Sequence, residues 1–308
     1  MKIGFIGLGN VGGKLAGTLL RNGFDLTVRD LNPDLEKAFA SKGVHIGASP
    51  AEIMQDVDLL ITCLPSPAVS AAVVEGKDGA LQAMSPGKIW AEMSTTDTIE
   101  VCRLGEKAVA AGAEPIDCPV SGGCHRAASG NISIFAGTER STFEKVLPVL
   151  TTMGRRVLHT GPLGSASTLK VMTNYLASVN LASLGEALMT MRRAGIDLNT
   201  TFEAIRISSG NSFVHETESQ VILNGSRDVN FTMDLVVKDL SLFQAIANRT
   251  DVPLEISPLL LRIFEDGQHP DGNPWQDETV IFMGLADTVN FTMSANMHGG
   301  VEVCNYPW

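Results

Sequence analysis

Lys2-Ile3-Gly4-Phe5-Ile6-Gly7-Leu8-Gly9-Asn10-Val11-Gly12 opens the chain and decides its fold. A short apolar strand runs into a Gly-x-Gly-x-x-Gly, and a helical pattern begins directly after it. In that setting the glycines allow a tight turn, close approach of a pyrophosphate to the backbone, and close packing of helix on strand. The helix N-terminus adds unpaired N–H groups and partial positive charge. The hexapeptide alone is weak evidence, but its context strengthens it. The next strand, Asp25 to Arg29, leads into Asp30, 18 residues after Gly12, where a carboxylate can accept hydrogen bonds from a ribose diol. Gly7, Leu8, Gly9, Asn10, Val11, Gly12 and Asp30 are therefore expected to bind a dinucleotide. A carboxylate at position 30 repels the 2′-phosphate of NADP, so NAD is favoured and NADP is the lesser alternative. Arg29 argues the other way, but side chains alternate along a strand and turn it from the face of Asp30.

From residue 1 to about 162, short apolar runs alternate with longer mixed segments, the pattern of strands joined by crossover helices in a parallel sheet. Strands are predicted at about 2–6, 25–29, 58–63, 88–92, 114–117, 132–136 and 155–159. Asp97 to Ala111 and Glu139 to Leu150 carry apolar residues at helical spacing. After Gly161-Pro162-Leu163-Gly164 the texture changes: Ser165 to Ala194 holds no proline and one glycine, Gly185, which predicts one long, largely buried helix. Helical patterns follow at about 198–208, 212–224, 233–249 and 255–266, and Asp266 to Trp275 reads as a loop. The expectation is an α/β chain: an N-terminal Rossmann-type parallel-sheet domain over 1–162, then an all-helical C-terminal domain over 163–308.

Composition narrows the function. Of 308 residues, 23 are Lys or Arg and 34 Asp or Glu, a net charge of −11 that argues against nucleic acid and anionic lipid as partners. The five cysteines form no Cys-x-x-Cys and leave one over in any pairing, and the six histidines are scattered, so neither a disulfide framework nor a metal site is expected. Cys118 and Cys124 read as small residues without an activating base, and the methionines as packing. No stretch reaches the ~20 apolar residues of a membrane span or forms a signal peptide, so a cytoplasmic protein is expected.

Four separated motifs agree on a family. Gly4-Phe5-Ile6-Gly7-Leu8-Gly9, Asp117-Cys118-Pro119-Val120-Ser121-Gly122-Gly123, Gly164 with Lys170 and Asn174, and Lys238-Asp239-Leu240 resemble, in order, the β-hydroxyacid dehydrogenase family, which includes 3-hydroxyisobutyrate dehydrogenase and tartronate semialdehyde reductase. The resemblance runs to about residue 285. It implies hydride transfer between nicotinamide and the β-carbon of a small 3-hydroxyacid, 3-hydroxyisobutyrate-like or more polar, or its semialdehyde. Members that use NADP typically carry an arginine two residues after the position of Arg29; Leu31 stands there, and members that use NAD have an acid like Asp30.

The residues support that chemistry in their own right. Oxidation of a hydroxyl needs a group to take its proton, and a lysine does so once burial or nearby positive charge lowers its pKa. Lys170, set among Leu169, Val171 and Met172, is the candidate, against the alternative of a lysine that snorkels to solvent. Asn174 lies four residues on, on the same helix face, and the resemblance implies that it orients substrate. Ser121, Gly122 and Gly123 can offer a hydroxyl and unobstructed N–H groups to a substrate carboxylate, the role the family gives them. Leu64 and Pro65, and Thr96 in Ser94-Thr95-Thr96, follow strands at the end where open α/β sheets bind ligand, and by resemblance contact the cofactor.

Lys238 either pairs with Asp234 on a helix face or, as the resemblance implies, reaches cofactor or substrate. Arg126 falls where many members have glycine; it either faces water or meets a second anionic group on the substrate. Val11 and Ala166 also depart from the common Met and Gly, and the segment after about Phe291 matches no family pattern. The resemblance places the active site between the two halves. The apolar helical half points to a homodimer or homotetramer. Rival readings are a non-catalytic NAD-binding scaffold and an imine reductase on the same fold; retention of Lys170 argues against both.

Overall fold

A computed structural model of the chain describes residues 1–224 and 231–267. The loop read up to Trp275 lies outside the described residues from position 268 on, as does the segment after Phe291. The chain divides into two compact units, Met1–Val171 and Met172 onward.

The first unit alternates strand and helix: β1 (Ile3–Ile6), α1 (Gly12–Arg21), β2 (Leu26–Arg29), α2 (Pro33–Ala40), β3 (His45–Ile46), α3 (Pro50–Asp56), β4 (Leu59–Thr62), α4 (Pro67–Glu75), β5 (Ile89–Glu92), α5 (Thr98–Ala110) and β6 (Glu114–Asp117). Then come β7 (Val120–Ser121), α6 (Gly123–Ala128), β8 (Ile132–Gly137), α7 (Arg140–Met153) and β9 (Gly154–Gly161). The helix starts follow from local chemistry. Asn32, Ser49 and Ser66 each cap the N–H groups ahead of a proline-led helix, and Asp97 caps α5.

The central strands β1, β4 and β5 are buried along their whole length because both faces of the sheet are covered there. On one face Ile3, Phe5, Leu59, Ile61, Ile89 and Ile116 pack with Leu15 and Leu19 of α1 and Phe143, Val146 and Leu150 of α7. On the other, Ile6, Leu60 and Trp90 pack with Ile53, Met54, Val101 and Leu104. The strand order is β3-β2-β1-β4-β5-β6-β8-β7, with β9 beside β8. Direction along the sheet reverses at β1, the switch point beyond whose strand ends such sheets bind ligand. Those ends are aligned: Ile6 pairs with Arg29 and Thr62, Thr62 with Glu92, and Glu92 with Asp117.

Two features correct the sequence reading. The sheet is parallel only through β6: β8 runs antiparallel to β6 and β7, and β9 parallel to β8. The connection from β7 to β8 holds only the six-residue α6, too little for a crossover that returns the chain to the same end of the sheet. The unforeseen strands β3 and β7 have two residues each, too few to show a period.

α8 (Ser165–Arg193) begins in the first unit and continues into the second. It is followed by α9 (Leu198–Arg206), α10 (Phe213–Asn224), α11 (Met233–Arg249) and α12 (Ile256–Asp266), so the regular elements described there are helices. Their core gathers Leu181, Met233, Val236, Leu240, Leu260 and Phe264. His215 is buried, with Nε2 against the Phe202 carbonyl and Nδ1 against Ser219 Oγ.

Candidate active site

The glycines after β1 divide their tasks. Gly7 has φ +97°, and a Cβ there would overlap the Cys63 carbonyl; a Cβ on Gly12 would overlap the Gly7 carbonyl. A Cβ on Gly9 meets nothing within 4 Å. Packing thus demands the outer two, while the middle one borders open space that a ligand can enter. Unlike α2 to α5, α1 has no side-chain cap, and no acid stands in its first turn to oppose an anion; Gly13 N donates to the Gly9 carbonyl and Lys14 N and Leu15 N to the Val11 carbonyl. Asp30 stands against this loop: Oδ2 accepts from Leu8 N at 2.6 Å and Oδ1 from Asn32 N at 2.8 Å. Each oxygen keeps a second lone pair suited to a ribose hydroxyl. Arg29 turns away, its Nη1 donating to the Gly47 carbonyl at 2.9 Å, and Leu31 is 88% exposed.

The loops after β4 and β5 are tied together. Leu64 reaches to within 3.1 Å of where a Gly7 Cβ would stand, and its N–H donates to Ser94 Oγ at 2.7 Å. Ser94 donates both N–H and O–H to Glu92 Oε1. Sequence reasoning passed over Glu92, a buried acid whose pKa is raised by burial; the signal was a carboxylate ending the apolar run Ile89-Trp90-Ala91. Thr96 Oγ1 is buried with no protein partner among the described residues, while Pro65 is exposed. An uncapped helix, an open glycine and an orphaned hydroxyl fit a dinucleotide. The thiols here are poor nucleophiles: burial, with Glu92 and Cys124 nearby, pushes Cys63 up to about 12, and burial raises Cys118 as well.

Ser121 ends β7, and Gly122 and Gly123 follow with φ +128° and +78°. A Cβ on Gly122 would stand 3.0 Å from Arg126 Cδ, so the arginine stem lies over this turn. Asp117, four residues before Ser121, is fully buried and holds the start of α8: Oδ1 accepts from Gly164 N at 2.8 Å and Oδ2 from Ser167 N at 2.6 Å. Lys170 follows Ser167 by three residues and is only 7% exposed.

In the second unit one carboxylate gathers two predicted residues. Asn174 Nδ2 donates to Asp239 Oδ2, and Lys238 Nζ stands 2.7 Å from Asp239 Oδ1. Asp239 is buried, and its part was not foreseen although it lies in a quoted motif; an acid on the apolar face of α11 was the available signal.

Comparison with known proteins agrees. Residues 2–161 match the NAD binding domain of 6-phosphogluconate dehydrogenase, and residues 164–283 the NAD-binding domain of NADP-dependent 3-hydroxyisobutyrate dehydrogenase. The 2-(hydroxymethyl)glutarate dehydrogenase of Eubacterium barkeri is 32% identical over 269 residues, 87% of this chain and 89% of the relative. The chain belongs to the β-hydroxyacid dehydrogenase family. As a member it is an oxidoreductase acting on CH–OH groups, with an NAD(P)-binding domain and a small-molecule substrate. Another member, L-threonate dehydrogenase of Cupriavidus necator, is 33% identical over 263 residues, 85% of this chain and 89% of the relative. The solved 3-hydroxyisobutyrate dehydrogenase of Salmonella typhimurium superposes with a TM-score of 0.82 at 27% identity, covering 94% of this chain and 99% of that one. No helix among the described residues is long and apolar enough to cross a membrane.

Proposed function

We propose that this β-hydroxyacid dehydrogenase moves a hydride between NAD and the β-carbon of a small 3-hydroxyacid or its semialdehyde, with Lys170 as general acid/base. The observation that carries the reading is the burial of Lys170 one turn into a helix whose start is tied to the strand leading to the Ser121-Gly122-Gly123 turn. Bound nicotinamide supplies the hydride acceptor. In the oxidative direction the neutral Lys170 amine takes the hydroxyl proton as the C–H bond gives up its electron pair and the C=O bond forms; reduction reverses each step. Ser121, Gly122 and Gly123 hold the substrate carboxylate, Asn174 orients the hydroxyl, and Lys238 lends positive charge to cofactor or substrate.

NAD is supported by the Asp30 carboxylate beside the glycine loop, by the use of Arg29 on Gly47, and by leucine at position 31. Arg126 over the turn supports a substrate more polar than 3-hydroxyisobutyrate. So does the named substrate of the Eubacterium barkeri relative, which carries a second carboxylate. A homodimer or homotetramer is supported by apolar side chains exposed on the helical unit, including Leu176, Ile207 and Phe213, and light scattering measures it. The deciding experiment follows NADH absorbance across β-hydroxyacids and their semialdehydes with wild type and Lys170→Ala. Turnover of the variant falls by at least ~100-fold while NADH still binds; near wild-type turnover removes Lys170 from the mechanism.

A further inference from the structure

We propose that Asp117 is a positioning residue for the reaction, locking the start of α8, and with it Lys170, to the strand end that carries the Ser121-Gly122-Gly123 turn. This rests on the reading of Lys170 as the proton carrier. A helix leaves its first N–H groups without internal partners, and a residue at its own N-terminus ordinarily satisfies them. α8 instead draws on a side chain 47 residues upstream of Gly164 and 50 upstream of Ser167. Both Asp117 oxygens are committed to that first turn by charge-assisted bonds, and the residue is fully buried.

The carboxylate is itself held from several sides. Asp117 pairs with Glu92 on β5 and Gly137 on β8, and the next residue, Cys118, donates its N–H to the Glu92 carbonyl at 2.7 Å. A Cβ on Gly137 would overlap Asp117 Oδ1 and lie 2.8 Å from both Ser165 Oγ and the Pro162 carbonyl, so the carboxylate and the turn into α8 both need position 137 to lack a side chain. Thr98 and Thr168, whose hydroxyls are 2.9 Å apart, brace the same turn of α8. From this anchor the chain reaches Ser121 in four residues, and α8 reaches Lys170 one turn after Ser167. One side chain therefore sets the spacing between the groups assigned to the substrate carboxylate and to the hydroxyl proton. Burial raises the Asp117 pKa while the N–H groups of Gly164 and Ser167 pull it back, as suits a carboxylate kept for binding amides.

The test compares Asp117→Asn, which keeps the shape and halves the acceptor set, with Gly137→Ala, which crowds a carboxylate left in place. Measured are kcat, KM for the best hydroxyacid of the panel, the deuterium isotope effect on hydride transfer, and NADH affinity and stoichiometry by fluorescence. Displacing Lys170 by a fraction of an ångström lowers kcat per NADH-binding site about 10- to 100-fold, raises the isotope effect, and changes NADH affinity less than about twofold. A purely structural role would lower thermal stability and the number of NADH sites but not kcat per site. Lys170→Ala is assayed alongside: full turnover there refutes the proton-carrier reading, whatever Asp117 does. If Lys170→Ala is inactive while either partner variant that binds NADH keeps kcat per site within twofold, the inference is overturned. It is overturned too if neither variant binds NADH, for the carboxylate is then a folding residue.

Discussion

Leu31→Arg is the most discriminating perturbation of the cofactor site. Leu31 is 88% exposed, so replacing it removes little packing and a guanidinium there stays solvated. A new charge-assisted pair with a 2′-phosphate contributes about 1.5–3 kcal/mol, which is about 10- to 100-fold in affinity for NADP. Opposing it is Asp30, whose carboxylate repels a phosphate at ~4 Å by about 4 kcal/mol for an effective dielectric of 20. The single variant is therefore expected to raise NADP use relative to NAD by about tenfold or more without inverting the preference. Inversion needs Asp30 changed as well, and there the structure predicts a penalty. Asp30 accepts from Leu8 N and Asn32 N, so Asp30→Ala leaves two loop N–H groups without their acceptor and weakens both cofactors. Asp30→Asn with Leu31→Arg keeps one acceptor oxygen and is the better route. The assay is kcat/KM for NAD and NADP at one saturating hydroxyacid concentration, beside a thermal melt of each variant. An NADP-to-NAD ratio unmoved by Leu31→Arg would show that position 31 does not face the ribose. Unchanged NAD kinetics in Asp30→Ala would refute the role given to that carboxylate.

Arg126→Ala raises KM by ~10-fold or more for a hydroxyacid with a second carboxylate and leaves 3-hydroxyisobutyrate unaffected, as loss of one charge-assisted pair requires; equal constants across the panel return Arg126 to the surface. Arg103 and Lys107 hold the Glu75 carboxyl down at about 2, against an ordinary 4.5, so its contribution to stability is complete above pH 4.5 and is lost as pH falls toward 2. Melting curves of wild type and Glu75→Gln accordingly differ at pH 7 and converge by pH 2; a gap that persists in acid contradicts this. Asp251, just beyond α11, has φ +55°, a region that costs a β-branched residue most. Calorimetry should find that Asp251→Val loses at least ~1 kcal/mol while Asp251→Gly holds or raises the melting temperature; a neutral valine would contradict the assigned backbone.

What could be read in the sequence was what local chemistry determines. The central strands β1, β4 and β5 showed because a sheet covered on both faces needs apolar runs, and α5 starts beside Asp97 because that side chain caps it. The glycine loop and Asp30 were legible for the same reason, since the loop's geometry brings the acid beside Leu8 N. The reversal of β8 was not, because strand direction is written in no single residue; the shortness of α6 decides it. Asp117, Glu92 and Asp239 escaped notice as functional candidates for a shared reason. Each is a buried acid defined by its partners, and Gly164 and Ser167 for Asp117, and Asn174 for Asp239, lie 47 to 65 residues away. An acid inside an apolar segment signals that a partner exists without saying which.

Gly137 and Asp117 also bear on how the chain can change by descent. The carboxylate fills the volume that a side chain at 137 would need, so an acid at 117 can be inherited only together with glycine at 137. While the acid is present, mutation at 137 is purged for steric reasons. Loss of the acid does not by itself release 137, because a Cβ there would also come within 2.8 Å of the Pro162 carbonyl. The dependence therefore runs one way: the acid needs the glycine, while the glycine answers to the backbone as well. Related sequences should keep glycine at 137 whether or not 117 is an acid, and chains with an acid at 117 and a bulky residue at 137 should be rare.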